Sequence, residues 1–534
     1  MKKGRLLNEH SFVVALLLAI AAYTIIWSWI TLNRLYTLNV LWADFGISIE
    51  QMWLTFHNNW SVMAYLYVFF NEGLNFILSP LSLPGNFQLL LVVQSFALGI
   101  TALPLYTITV NLLKNKKLAL FVAIMYLVYF PISGLNWYDF HNEAFFPLFF
   151  LSGYMFYLKD RKILSSLFFF MSAIVRFPYA AFLLIFAIVS LLEKVFEFRE
   201  TKIKLVKHDV LFLFFLLSLS AFLLIGAYLL SGTIAYPASV IHYSGNLGTS
   251  VLVGLLTFFY VFLPLAFLPL LSKKWFLTYI PYFVITVLIG GYGFDIPTAF
   301  HYQYTALIAP FVFLGFIDIL GTLTTNSGVS VKSYCRFFKN ALFRHRKALI
   351  LSVAALTISS GVLFEPYSPI NKYTFDNFDN FGNYAKGNVS DFRYLSQVIS
   401  LIPKNNNSVL TQANLPEIYP RPESVETFPN SIEMLVAGDI SNLQFSNNLT
   451  LSNFKNNSYG VITYSGIPYT ERVYNVSIDY ALAYTHSPWY YAGPPSMRFF
   501  VNMMNESGKY GTVAEYHGFI LLEWGYKGKV KLTS

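Results

Sequence analysis

Chemistry in this chain is confined to a few short stretches of otherwise apolar sequence. The first runs from Leu41 to Trp53 and gathers Asp44, Glu50, Gln51 and the indoles of Trp42 and Trp53. Carboxylates beside a membrane are expensive to desolvate, which makes such a cluster a site candidate. The competing reading is an interfacial amphipathic loop anchored by its tryptophans. Chemically, Asp44 offers a general base, with Glu50 as a second catalytic carboxylate. Gln51 and Trp53 are substrate-binding candidates.

The second stretch is Asn136-Trp137-Tyr138-Asp139-Phe140-His141-Asn142-Glu143. Asp139 and His141, two residues apart in an extended loop, can point the same way and share a ligand. Such a pair binds a divalent cation or fixes a histidine tautomer. The alternative is a polar loop in which Asn142 or Glu143 caps the next helix. The third stretch, Phe294 to Tyr304, carries His301 and Tyr302 as substrate-binding candidates, against an interfacial tyrosine belt. Arg176 stands within an apolar hairpin, two residues before Pro178. A guanidinium there must be paired or face water, and its planar fork suits phosphate oxygens. The other outcome is an ion pair with a neighbouring helix's carboxylate. Arg34 is the second cation that can reach a phosphate. Asp44, Asp139 and His141 are the candidate metal ligands.

Membrane helices must position these residues. The 534 residues are 56% hydrophobic and 12% charged, where a soluble domain is nearer a quarter charged. The apolar run from about Phe12 to Leu32 is too long for a signal peptide and lacks a small-residue cleavage site, so it reads as a retained first helix. Further runs fall near 62–80, 87–112, 118–135, 143–158, 163–175, 177–193, 210–231, 251–271, 275–291, 303–321 and 347–364. After Glu365, Asn, Ser, Pro and Tyr accumulate and short alternating segments appear. The expected organisation is a transmembrane domain, 1–365, and a soluble α/β domain, 366–534.

Charge sets the orientation. Of the 24 Lys and Arg residues in 1–365, 22 fall in six clusters, leaving Arg34 and Arg176 apart. All six clusters are cytoplasmic if 62–80 is not a full crossing and if 163–175 and 177–193 are a pair broken at Arg176-Phe177-Pro178. The N-terminus is then cytoplasmic, about eleven crossings follow, and the tail is extracytoplasmic in the plasma membrane. Six Asn-x-Ser/Thr triplets in the tail agree with that side. The same arithmetic collects Asp44, Glu50, His57, Glu72, Asp139, His141, Glu143, His242, Asp295 and His301 on the outer face, together with both isolated arginines. A single cysteine, Cys335, excludes an internal disulfide.

These residues also suggest a family. Asp44-Phe45-Gly46-Ile47…Glu50-Gln51-Met52-Trp53, Phe140-His141-Asn142-Glu143-Ala144 with Pro147, and His301-Tyr302 with Pro310 resemble segments of the prokaryotic membrane proteins called DUF2079. The exterior Leu401-Ile402-Pro403, Ser408-Val409-Leu410, Pro416, Arg421 and Phe428-Pro429 are similar to its tail pattern. That family in turn looks like the GT-C superfamily of polytopic glycosyltransferases. The resemblance implies a GT-C-like helical fold, polyprenyl-phosphate sugars as donors, and Asp44 as catalytic base or metal-facing carboxylate. Where the family often has a Lys-Glu-Asp-like segment, this chain has Val175-Arg176-Phe177, keeping the cation and losing the acid.

The leading expectation is glycosyl transfer from a lipid-phosphate donor to an exterior acceptor, whether glycan, lipid or protein. Asp44 deprotonates the acceptor hydroxyl, Arg176 with Arg34 or a divalent metal holds the leaving phosphate, and the Phe-rich helices lodge the polyprenyl chain. The alternative is a transporter or flippase of a lipid-linked or small polar substrate, against which no internal repeat is evident. A receptor on a membrane anchor does not need so many helices. No Gly-x-x-x-x-Gly-Lys-Ser/Thr motif occurs, and the +9 charge follows from topology without a nucleic-acid partner.

Overall fold

Helix is what apolar runs of this length must form in lipid, where every backbone amide needs an internal partner. The computed structural model describes residues 2–39, 43–57, 61–83, 86–137, 139–201, 207–231, 247–290, 303–324, 345–365 and 388–403. In the tail it further describes 407, 409–411, 415, 418, 425–427, 463–464, 467–468, 479–486, 501, 504–505 and 508–533. Two compact units emerge: Met1–Trp29, Trp60–Leu78 and Leu90–Asp376 form one, and Ile30–Asn59, Ser79–Leu89 and Asn377–Ser534 form the other.

The first unit is helical. Its elements are most of α1 (Lys2–Tyr36), α3 (Val62–Glu72), α4 (Asn75–Leu78), α5 (Gln88–Ile100), α6 (Ala102–Leu113), α7 (Lys116–Leu127) and α8 (Phe130–Trp137). They continue through α9 (Phe146–Leu158), α10 (Lys162–Ala173), α11 (Pro178–Thr201), α12 (Lys207–Ser231), α13 (Leu247–Phe262), α14 (Lys273–Gly290), α15 (Ala309–Thr324) and α16 (Arg346–Phe364). Among the described residues, five helices are long and apolar enough to cross a membrane: Ser11–Tyr36, Gln88–Leu113, Pro178–Phe196, His208–Leu230 and Lys347–Phe364. Two bent pairs, α3 with Asn75–Ser82 and α7 with α8, raise the number to seven if each is one span.

Local sequence explains the ends. Ser61 accepts from the Ala64 amide, and Asn115 accepts from Lys117 and Leu118, as N-caps do. Lys114 closes α6 in the left-handed region at φ 52°. Hydroxyls from other segments reach proline carbonyls: Thr305 donates to Pro131, Thr357 to Pro264 and Tyr279 to Pro269, whose carbonyl also accepts from the Ser272 amide. Gly153 lets α9 and α10 approach, since a Cβ there would sit 2.8 Å from the Phe169 ring.

Two helix breaks dock on one another. The chain turns by 105° after Glu72, and a second break separates Ala173 from Pro178 where the sequence expects one. Leu74 N donates to Ile174 O at 3.2 Å, and Phe177 N donates to Asn71 O at 2.9 Å. Each break thereby satisfies amides of the other. At the far end of α10 and α11, three of the cationic clusters meet. Lys162 and Lys194 both lie within ion-pair distance of Asp209, Lys274 pairs with Glu193 at 2.7 Å, and Ser272 donates to Asp318.

The second unit holds α2 (Ala43–Phe56), a short 3-10 helix at Ser79–Ser82, α17 (Val389–Ile399) and the sheet. Phe45 packs near Phe87, and Tyr36 at the end of α1 meets Phe392 of α17 edge to face. The strands are β1 (Val409–Thr411), β2 (Val425–Thr427), β3 (Thr463–Tyr464), β4 (Ile467–Pro468), β5 (Tyr480–Tyr484), β6 (Tyr510–Tyr516), β7 (Phe519–Trp524) and β8 (Leu532–Thr533). Six of them form one sheet in the order β2-β1-β5-β7-β6-β8. β1 is parallel to both neighbours, whereas β5–β7 and β7–β6 are antiparallel. β5 is buried along its whole length, as a central strand should be.

Candidate functional site

The site in the helical unit grows from the two docked breaks. Arg176 lies between α10 and α11, at the end away from the Lys162–Asp209 cluster. Its Nη1 donates to Glu143 Oε1, and its Nε lies 3.6 Å from Glu72 Oε1. The Arg176 side chain is 37% exposed while that of Glu143 is 5% exposed, so a buried carboxylate holds a part-exposed cation. Asn75 donates to Glu72 at 3.1 Å, and Asn142 donates to Asn75 Oδ1 at 2.6 Å. Glu72, Asn75, Asn142, Glu143 and Arg176 thus form one polar chain linking both breaks to the 139–143 loop.

A second set of bonds shapes that loop. Gln94, in the middle of apolar α5, donates to Asp139 O at 2.6 Å and accepts from His141 N at 2.7 Å. Ser95 donates to Asn136 Oδ1 at 3.0 Å. Asp139 takes φ 55°, a conformation that Asp tolerates better than most residues. Asp139 and His141 are both buried, at 5% exposure. Among the described residues, Asn142 Oδ1 and Asn136 Nδ2 are buried without a hydrogen-bond partner.

Several expectations resolve here. Glu143 does not cap the following 3-10 helix, Asn142–Phe145; the N-cap position belongs to His141, which makes no side-chain capping bond. Glu143 holds Arg176 instead, so the ion-pair outcome for Arg176 is the one observed. Sequence reasoning placed Glu72 on the same face but gave it no partner. It missed Asn75, Gln94, Ser95, Asn136 and Asn142 as a network; the available signal was a lone amide, Gln94, inside an apolar run.

The first-loop residues sit in the other unit. Arg34 is 2% exposed and its Nη2 donates to Asn39 O at 2.8 Å, so it fixes the turn that leaves α1. Thr37 and Asn39 continue the turn through Asn39 Nδ2 to Thr37 Oγ1 at 2.9 Å. Asp44 is the second residue of α2, and its side chain lies outside the described residues. Glu50, Gln51 and Trp53 follow on α2, half-buried, with Trp53 stacked on His57 at 3.9 Å. His301 and Tyr302 lie outside the described residues. Among the described residues, no three His, Cys, Asp or Glu side chains converge as metal ligands.

A search of curated proteins finds no match. A family model described as "Predicted membrane protein (DUF2079)" matches residues 34–447, which include α2, the 139–143 loop, Arg176 and the first strands of the sheet. The chain belongs to the DUF2079 family of predicted membrane proteins.

Proposed function

We propose that this protein is a membrane glycosyltransferase of GT-C type that moves a sugar from a polyprenyl-phosphate donor to an extracytoplasmic acceptor. The observation that carries the reading is Arg176: a part-exposed arginine at a helix break, held by Glu143 and Glu72 at the end of a polar chain within a largely apolar bundle. A lipid phosphate needs such a cation beside greasy surface, and a paired guanidinium is already oriented for it. As the sugar leaves, the guanidinium stabilises charge developing on the phosphate. Asp44 is assigned the acceptor's proton by the family resemblance, and Glu50 follows it on the same helix, α2.

The same reading sets about eleven crossings, a cytoplasmic N-terminus, a transmembrane domain over 1–365 and an extracytoplasmic domain over 366–534. The meeting of Lys162, Lys194 and Lys274 at one end of the bundle, away from Arg176, supports it, because those cations belong to clusters assigned to the cytoplasm. A second reading, a flippase of lipid-linked sugars, is favoured by the two mutually docked helix breaks, a device that transporters use at substrate sites.

Purified protein in nanodiscs, given polyprenyl-phosphate sugars and a mixed acceptor extract, tests the choice. The transferase reading requires sugar release by the wild type and a loss of about a hundredfold or more in Asp44→Asn. Lipid translocation in proteoliposomes with no sugar release establishes the flippase instead.

A further inference from the structure

Of the six Asn-x-Ser/Thr triplets in the tail, the asparagines of two are described, Asn388 and Asn505. Asn406, Asn448, Asn456 and Asn475 lie outside the described residues. A triplet of this kind accepts a glycan on its amide nitrogen where it stands at a surface outside the cytoplasm. The two described asparagines are placed very differently.

Asn388 precedes α17 as its N-cap. Its backbone is extended, at φ −110° and ψ 128°, and its Oδ1 accepts from the Ser390 amide at 3.1 Å. Capping occupies only the oxygen. Among the described residues, Asn388 Nδ2 has no hydrogen-bond partner, and neither has the Ser390 hydroxyl. Asn388 is exposed, and Val389 between the two is 54% exposed. A group attached to Nδ2 leaves Oδ1 where it is, so the cap and the modification do not compete.

Asn505 is half-buried and has both amide atoms on one hydroxyl. Its Nδ2 donates to Thr512 Oγ1 at 3.3 Å, and its Oδ1 accepts from the same hydroxyl at 3.4 Å. Thr512 lies on β6, so this amide is tied to the sheet. Attachment of a glycan there has to break that tie.

We propose that Asn388 is an N-glycosylation site and that Asn505 is not. The inference rests on the reading of 366–534 as extracytoplasmic. A separate membrane transferase supplies the glycan from a lipid-phosphate carrier. The new bond joins Nδ2 to the anomeric carbon, and the bond from that carbon to the phosphate oxygen breaks. Its electron pair leaves with the phosphate, and one Nδ2 proton passes to a base of the transferase.

Full-length protein, purified from the membranes of its own host, is digested with trypsin. Asn388 falls in the peptide 387–393 and Asn505 in 499–509, so fragment mass spectra read the two separately. Ser390→Ala is the key variant, because it removes the triplet's hydroxyl and keeps the backbone amide that Asn388 caps. Ser390→Thr restores the hydroxyl. The wild type and Ser390→Thr should carry a glycan on Asn388, Ser390→Ala should lose it at least tenfold, and Asn505 should be bare in all three. A bare Asn388 in the wild type, a glycan kept in Ser390→Ala, or a glycan on Asn505 overturns the inference. Val389→Cys in a Cys335→Ser background, probed with a membrane-impermeant thiol reagent, reads the side of the membrane independently. Labelling from outside with Asn388 bare overturns the site alone; labelling only after the membrane is opened overturns the exterior placement as well.

Discussion

Separating the two carboxylates that hold Arg176 tests how the helix breaks are tied together. Nε stands 3.6 Å from Glu72 Oε1, a distance at which Coulomb attraction is about 4.6 kcal/mol before desolvation if the effective dielectric constant is about 20. The side chain of Glu72 is 22% exposed and that of Arg176 37%, so solvent screening reduces the net coupling to about 1 kcal/mol. Glu143 is 5% exposed and is bonded directly by Nη1, which places its coupling in the range of a hydrogen bond between charged groups, about 1.5–3 kcal/mol. Double-mutant cycles with Arg176→Met, Glu143→Gln and Glu72→Gln measure both terms by reversible denaturant unfolding in mixed micelles. The couplings should rank Glu143 above Glu72. A larger value for Glu72, or both below about 0.5 kcal/mol, refutes the assignment of Arg176 as the tie between the breaks.

Other consequences are open to measurement. Glu365, just beyond the end of α16, has its carboxyl pushed up to about 8 by burial, against which a Ser133 hydrogen bond works. The folded protein then binds more protons than the unfolded chain between about pH 4.5 and 8, so stability falls as pH rises through that window. Glu365→Gln should flatten that slope, which chemical denaturation at pH 5, 6.5 and 8 reads. Tyr484→Phe removes the bond to Asp391 and should destabilise the exterior sheet by about 1–2 kcal/mol, seen as faster amide exchange in β5. Gly153→Val drives a side chain into Phe169 and should cost about 1–3 kcal/mol; unchanged unfolding would mean that α9 and α10 are not in contact there.

Much of this molecule can be read from its residues. The membrane class follows from composition, and the break at Arg176-Phe177-Pro178 follows from proline, which starts α11 as it ends the preceding run. The alternatives weighed for Arg176 include the ion pair observed. What stayed hidden is partnership at a distance. Glu72 and Arg176 are far apart in sequence, and nothing in either segment says that Asn71 O and Phe177 N will bond. Gln94 reads as a stray amide until it is seen holding both ends of the 139–141 turn. The expected common pocket of Asp44, Asp139, His141, Arg176 and His301 finds no geometry here, because the Asp44 side chain and His301 lie outside the described residues.

Affinity for a polyprenyl phosphate, measured on the purified protein in nanodiscs, addresses the central claim most directly. A guanidinium on the phosphate contributes about 1.5–3 kcal/mol, so Arg176→Met should weaken binding by about ten- to a hundredfold, with Arg176→Lys between it and the wild type. Equal affinity in the wild type and in Arg176→Met would show that this guanidinium serves only to join the helices and that the lipid phosphate binds elsewhere.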